Sequence, residues 1–463
     1  MPLENHELGH ERRTPRAVAA LAFLLLSVAG CGGSPPHGVD HPAAATTAAP
    51  AVVETVGGVG LVPLPIDGFE SLPPSERALA YYLARAVIAG RDRAWNRDGG
   101  IALEVRDLFE EVLTHPKGSD VPVREAIRNY LERLWIHAGN HDRWTGRKFV
   151  PSFTPADLRG AAEVARQGGA EIRLALGETL DAKLARLRPV IFDPDFEPAI
   201  AARPAATTGA AGGITTRRSE NDRRQEAAIR TLRGFLAKGA VFAAPDERSG
   251  FERLATAIED PASAGFRAWA DDWIVGGKRV DLLIGPEPGA PPAGTGTTGA
   301  WYGVVSITDP ARERAVAALA AAAGDLLAAS PGRAGLPPAP PVHASARLLL
   351  GSVAPGGPAT PDALTYPGVP ARGVAGARAI LLTNVEATAG ATLGRGIVAE
   401  FAPAAERAAL EAARPAAGFA FAALSAVLGE AAATPVDMAA TPADGDAARA
   451  VLVAARADLL ALH

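Results

Sequence analysis

The sequence predicts an α+β chain dominated by helix, and three patterns carry that prediction. Apolar residues recur at helical spacing through residues 74–175, as in Leu79, Tyr82, Leu83, Ala86 and Val87. The pattern switches to short strand-like apolar runs at Arg279–Gly285 (RVDLLIG), Trp301–Ile307 (WYGVVSI), Ala344–Val353 and Ala377–Leu382. Helical spacing surrounds these runs, without the repeated strand–helix alternation of a doubly wound sheet.

In chain order, the first segment is an export signal. Arg12, Arg13 and Arg16 precede Ala17–Gly30, a 14-residue apolar run too short for a permanent span, which takes about 20 residues. Val28-Ala29-Gly30-Cys31 then resembles the lipobox of bacterial lipoproteins, in which small residues admit the peptidase and the thiol accepts a diacylglyceryl group. Cys31 is the only cysteine in 463 residues. Acylation there implies a protein held in the bacterial cell envelope on a lipid anchor, facing the periplasm, with no thiol left for a disulfide. His6-Glu7-Leu8-Gly9-His10 matches the HExxH pattern of zinc peptidases, but it lies upstream of the apolar run and leaves with the signal.

Residues 1–30 read as signal peptide and 31–60 as a lipidated cysteine with a Pro-rich flexible tether. An N-terminal helical part spans 61–199. Ser75 is the expected N-cap of its first helix, further helices are expected near 101–114 and over Val121–Gly139, and Thr154-Pro155 opens another with cap and first-turn proline in place. Residues 200–218 are a low-complexity loop. A mixed part over 219–343 has helices near 220–238, 247–258 and 262–274, two strands, and a long helix over about 309–329. The last part, 344–463, has strand-like runs and then helices at about 398–431 and 444–462. Residues 1–30 hold three arginines and three glutamates, so the mature chain keeps the formal charge of −5. That mild acidity argues against nucleic-acid binding.

Several segments together resemble the dipeptidyl peptidase III family, chiefly its bacterial branch. They are Tyr81–Gly100 (YYLARAVIAGRDRAWNRDGG), Ile127–Pro151 (IRNYLERLWIHAGNHDRWTGRKFVP), Arg188–Pro194 (RPVIFDP), Asp271–Glu287 (DDWIVGGKRVDLLIGPE) and Ala454–His463 (AARADLLALH). The resemblance implies two lobes around a cleft, one helical and zinc-binding, the other β-rich. It also implies removal of dipeptides from short peptides, using an HExxGH helix and a following EExxAE/D helix. In that chemistry two histidines and a glutamate hold zinc, and a second glutamate acts as base for the bound water.

This chain departs from that pattern. Ser425 stands where the resemblance places the first histidine, Ala426 at the base, Glu430 at the second histidine and Ala454 at the glutamate ligand. Between Ala344 and Leu462 there is no histidine or cysteine, so no zinc cofactor is expected. The chain also stops at His463 where relatives continue, which implies a remnant of the helical lobe over 344–463.

Asp281, Glu287, His141 and Trp144 remain as candidates to line a cleft. His137 and His141 are four apart, but Gly139 between them marks a helix end, and a structural role is the simpler reading. Trp95 and Trp301 read as packing residues. The resulting expectation is a catalytically inactive lipoprotein of this fold that binds short peptides or an envelope partner. The alternatives are an active peptidase of the same family, using other residues or a second polypeptide, and a decayed homologue.

Overall fold

A computed structural model describes residues 50–95, 101–118, 120–142, 145–196, 220–258, 263–286, 301–329, 342–353, 363–366 and 377–432. The signal, Cys31, the loop at 200–218 and the helix expected over 444–462 lie outside the described residues.

Two short antiparallel strands come first, β1 (Glu54–Val56) and β2 (Val59–Leu61), joined across Gly57 and Gly58, both at positive φ. The tether read over 31–60 therefore contains ordered chain at its end. Its two glycines supply the left-handed turn that a two-residue hairpin needs.

The helical part follows with α1 (Pro74–Ala89), a single turn α2 (Arg91–Ala94), α3 (Ile101–Thr114), α4 (Val121–His137), α5 (Pro155–Gln167) and α6 (Leu180–Phe192). Helices α3 to α6 close around Phe109, Ile127, Tyr130, Leu134, Phe153, Leu158 and Ile191, all buried. Asp120 precedes α4, which ends in a left-handed Ala138 and Gly139, so His137 is buried at the helix end while His141 falls in the next loop. Helix α5 starts on a capping box. Thr154 Oγ1 accepts from the Asp157 amide at 3.2 Å, and Asp157 Oδ2 accepts from the Thr154 amide at 2.8 Å. Thr154→Ala is expected to lower stability by about 1 kcal/mol in a urea titration. An unchanged midpoint would show that water replaces the cap.

The mixed part contains α7 (Glu220–Ala240), α8 (Pro245–Ala257), α9 (Ala264–Val275), β3 (Val280–Pro286), β4 (Trp301–Thr308), α10 (Glu313–Ala328), β5 (Val342–Val353), β6 (Ala363–Tyr366) and β7 (Ala377–Leu382). Strands β3 to β7 form one sheet in the order β3-β4-β5-β7-β6, with β5 and β7 parallel and the other pairs antiparallel. Helices α1, α7, α8 and α9 bury one face around Trp269, Trp273, Leu83, Leu232 and Ile284. The other face meets α10 and the long α13 (Arg407–Ala432). Ile380 and Leu382 enter the first core while Leu381 between them enters the second, the period-two signature of a strand covered on both sides.

After β7 the chain turns directly into α11 (Thr383–Ala389), a π-turn at Gly390–Gly394, and α12 (Arg395–Phe401). The helix read from 398 to 431 is thus two, broken at residues 402–406 where Pro403 interrupts the ladder.

Candidate functional site

The segment that the sequence places at the catalytic helix lies on α13. Small residues let this helix approach the sheet closely. Ala422 and Ala423 pack with Val316, Ala346 and Leu381, while Val427 and Leu428 pack with Ala323 and Leu327 of α10. Ser425 is half-buried and Ala426 is 8 % exposed. Glu430 falls in the last turns of α13, and the position of its side chain lies outside the described residues, as do Ala454, Trp144, Glu287 and Cys31. At the described positions the helix offers a hydroxyl and a methyl group. Neither binds zinc at neutral pH or takes a proton from water. Zinc therefore does not fit the two described positions. Among the described residues, no three His, Cys, Asp or Glu side chains gather as a metal site.

Beside α13, a set of buried polar groups locks the sheet to its helices. Thr383 Oγ1 donates to Asp309 Oδ2 at 2.6 Å, and Asn384 holds both backbone groups of Leu349 while donating to the Pro65 carbonyl at 3.0 Å. Glu386 is buried one turn later, with its carboxylate 2.8 Å from where a β-carbon on Gly418 would sit. A side chain at 418 would require the Glu386 carboxylate to shift.

The candidate Asp281 lies in the sheet rather than on an open surface. It is 3 % exposed on β3, where it pairs with Arg378 at 2.7 Å and accepts from Trp273 Nε1 at 3.0 Å. Burial alone would raise this carboxyl. Arg378, Arg347 and Lys278 together outweigh that and hold it below the usual carboxylate range. Arg378 also donates to the Trp273 carbonyl and Ser345 Oγ, with its guanidinium 4.4 Å from the Trp273 ring centre. Arg347 is almost wholly enclosed and donates to Ser306, to Thr308 and to the carbonyls of Lys278 and Arg279. Burial drives its guanidinium down to about 10, still charged at neutral pH. With every lobe of Asp281 engaged, its role is to hold three strands and α9 together.

His141 sits on the loop after α4, half-buried, in an isolated bridge to Lys148. Among the described residues, the sequence candidates fall on different elements: Ser425 and Ala426 share α13, Asp281 belongs to the sheet, and His141 belongs to the helical part. Trp95 and Trp301 are 7 % and 3 % exposed, each under a guanidinium, from Arg106 and Arg93 respectively. The polar residues that sequence reading missed are Arg347, Arg378, Asp309, Thr383, Asn384 and Glu386. The available signal was an arginine inside each of two otherwise apolar strands, SARLLLG and ARAILL.

This arrangement, a mixed five-stranded sheet between helical layers beside a separate helical core, defines an α+β fold of the dipeptidyl peptidase III type. The solved structure of DPP III from Caldithrix abyssi matches with a TM-score of 0.53 at 13 % identity, covering 79 % of this chain and 65 % of that one. Dipeptidyl-peptidase III from Corallococcus sp. strain EGB matches with a TM-score of 0.49 at 15 % identity, over 86 % of this chain and 76 % of that one. The chain thus spans less than two thirds of the Caldithrix protein's length, and at this identity the likeness shows the fold alone. No family model and no curated protein matches the sequence.

Proposed function

We propose that this chain is a lipid-anchored envelope protein that uses a peptidase-type scaffold for binding rather than cleavage. One observation carries the reading: α13 presents Ser425 and Ala426 where the family resemblance places a zinc ligand and the general base. A hydroxyl next to a methyl group supplies neither a zinc ligand of the family's kind nor a general base at these two positions. The ligands this reading favours are short peptides or an envelope protein, and the anchor is Cys31.

The test is to purify the mature chain, dialyse it against buffer containing zinc, and measure bound metal together with dipeptide release from a diarginyl fluorogenic substrate. The expected result is no stoichiometric zinc and no turnover above a buffer control. Stoichiometric zinc with turnover would overturn the reading. Titration calorimetry with peptides of four to eight residues tests the binding half, with micromolar dissociation constants expected and the absence of binding heat counting against it.

A further inference from the structure

We propose that the outward face of α1 and α7 is a membrane-contact surface that rests on the phosphates of an anionic bilayer. The reading rests on the lipid anchor only for bringing the bilayer within reach.

Two helices lie side by side here, and their solvent faces together with the turn just after α7 expose apolar side chains. Tyr81 and Val241 are 53 % and 65 % exposed, with Ile88 and Phe242 also exposed. The rings form one continuous patch. Tyr81 meets Tyr82 edge-on at 5.2 Å, and Tyr82 stacks on Phe242 at 5.6 Å. Gly239 packs closely beneath this pair, where a β-carbon would stand 3.3 Å from Tyr82 Cβ.

Two cations sit within the patch. The Arg85 guanidinium lies 5.0 Å from the Phe235 ring centre and donates to Tyr81 Oη at 3.0 Å. Lys238 Nζ lies 5.6 Å from the same Phe235 ring. Neither makes an ion pair among the described residues, unlike Arg106, Arg224, Arg186 and Arg378, each of which meets a carboxylate. Aromatic rings hold a cation without neutralising it, so both charges remain available to an external anion.

An exposed tyrosine with a polar tip, aliphatic side chains and unneutralised cations are a combination that settles at the headgroup level of a bilayer. Anionic phosphates supply the charge that Arg85 and Lys238 lack. The tether favours this occupant over a soluble acidic peptide. Eighteen residues separate Cys31 from Pro50, so an acylated Cys31 would be covalently joined to the described chain through a short stretch of sequence. An acylated Cys31 therefore keeps the bilayer permanently at high local concentration.

The sequence permits a clean test, because Cys31 is its only thiol. The mature, full-length protein carrying Val241→Cys is spin-labelled and reconstituted into phosphatidylcholine vesicles with and without phosphatidylglycerol. An Ala417→Cys protein, labelled on α13 across the sheet, serves as control. The expected result is a severalfold loss of collision with an aqueous nickel relaxant at position 241, only with anionic lipid, with none at 417. The loss should disappear in high salt and in the Arg85→Ser/Lys238→Ser background. Equal accessibility at 241 in both lipids would overturn the proposal, as would protection without lipid that grows with protein concentration, which would mark a second copy as the occupant.

Thiol titration separates the two readings. One reactive thiol in Val241→Cys supports acylation, whereas two show Cys31 free and sink the anchor. In that case flotation of the same protein with anionic vesicles still reads the surface, and its absence would overturn the contact proposal.

Discussion

Asp281→Ala is expected to remove about 3–5 kcal/mol of folding stability, read as a lower urea midpoint. The size follows from what stays behind. Asp281 is the carboxylate paired with Arg378, and Arg347 also acts on it; both guanidiniums are about as buried as their partner. Deleting the acid leaves two like charges in the sheet with hydrogen bonds but without a counter-charge. The hydrogen bond from Trp273 is lost as well. Asp281→Ala/Arg378→Met should recover much of the loss, because it removes a charge together with its partner. A loss under about 1 kcal/mol in the single variant would mean that water enters the cluster and that its charges are not desolvated.

The same cluster sets a pH dependence. The Asp281 carboxyl is held below its ordinary value in the folded chain, so the unfolded chain binds more protons across the interval between the two values. Its contribution is fully present above the ordinary aspartate range and is lost as pH falls through the folded value. Wild-type stability should therefore drop more steeply on acidification than that of Asp281→Asn. Parallel curves would show that this carboxyl does not drive acid unfolding.

Phe109→Ala is expected to cost about 3–5 kcal/mol through the other core. Phe109 is fully buried and meets Tyr130 and Phe153 edge-on at 5.3 and 5.9 Å, so truncation leaves a cavity that three helices cannot readily close. Tyr130→Phe provides the contrast. The buried Tyr130 hydroxyl has no hydrogen-bond partner among the described residues, and burial pushes its pKa above the usual tyrosine range. Losing that hydroxyl should be neutral or slightly stabilising. Phe109 and Asp281 lie in separate cores, so their effects should add within about 0.5 kcal/mol. A large departure from additivity would show that the two cores are energetically coupled.

Much of the fold was legible where one local pattern dominates. Helical periodicity located α1, α3, α4 and α5, and Thr154-Pro155 marked a helix start because capping is decided within four residues. The runs at Trp301–Ile307 and Ala377–Leu382 read as strands because both of their faces are apolar. The hairpin at 54–61 was hidden in a tether-like composition, since three-residue strands leave almost no periodic signal. The break near residue 402 was missed because alanine-rich sequence on both sides of Pro403 reads as one helix.

The candidate site was less legible. Asp281 looked available to a ligand because a lone acid in an apolar strand carries no mark of its partner. That partner, Arg378, lies 97 residues later and is delivered by the parallel pairing of β5 with β7 and the packing of α9. Sequence alone determined the α+β class and, as expectations, the export signal and the standing of Ser425 and Ala426 where the family resemblance puts a ligand and a base, because each depends only on residue identity and short-range order. Tertiary structure alone decided which charges are buried, which cations have carboxylate partners, and that Arg85 and Lys238 have none among the described residues. Those properties depend on solvent exclusion and on residues far apart in sequence, and no local pattern encodes either.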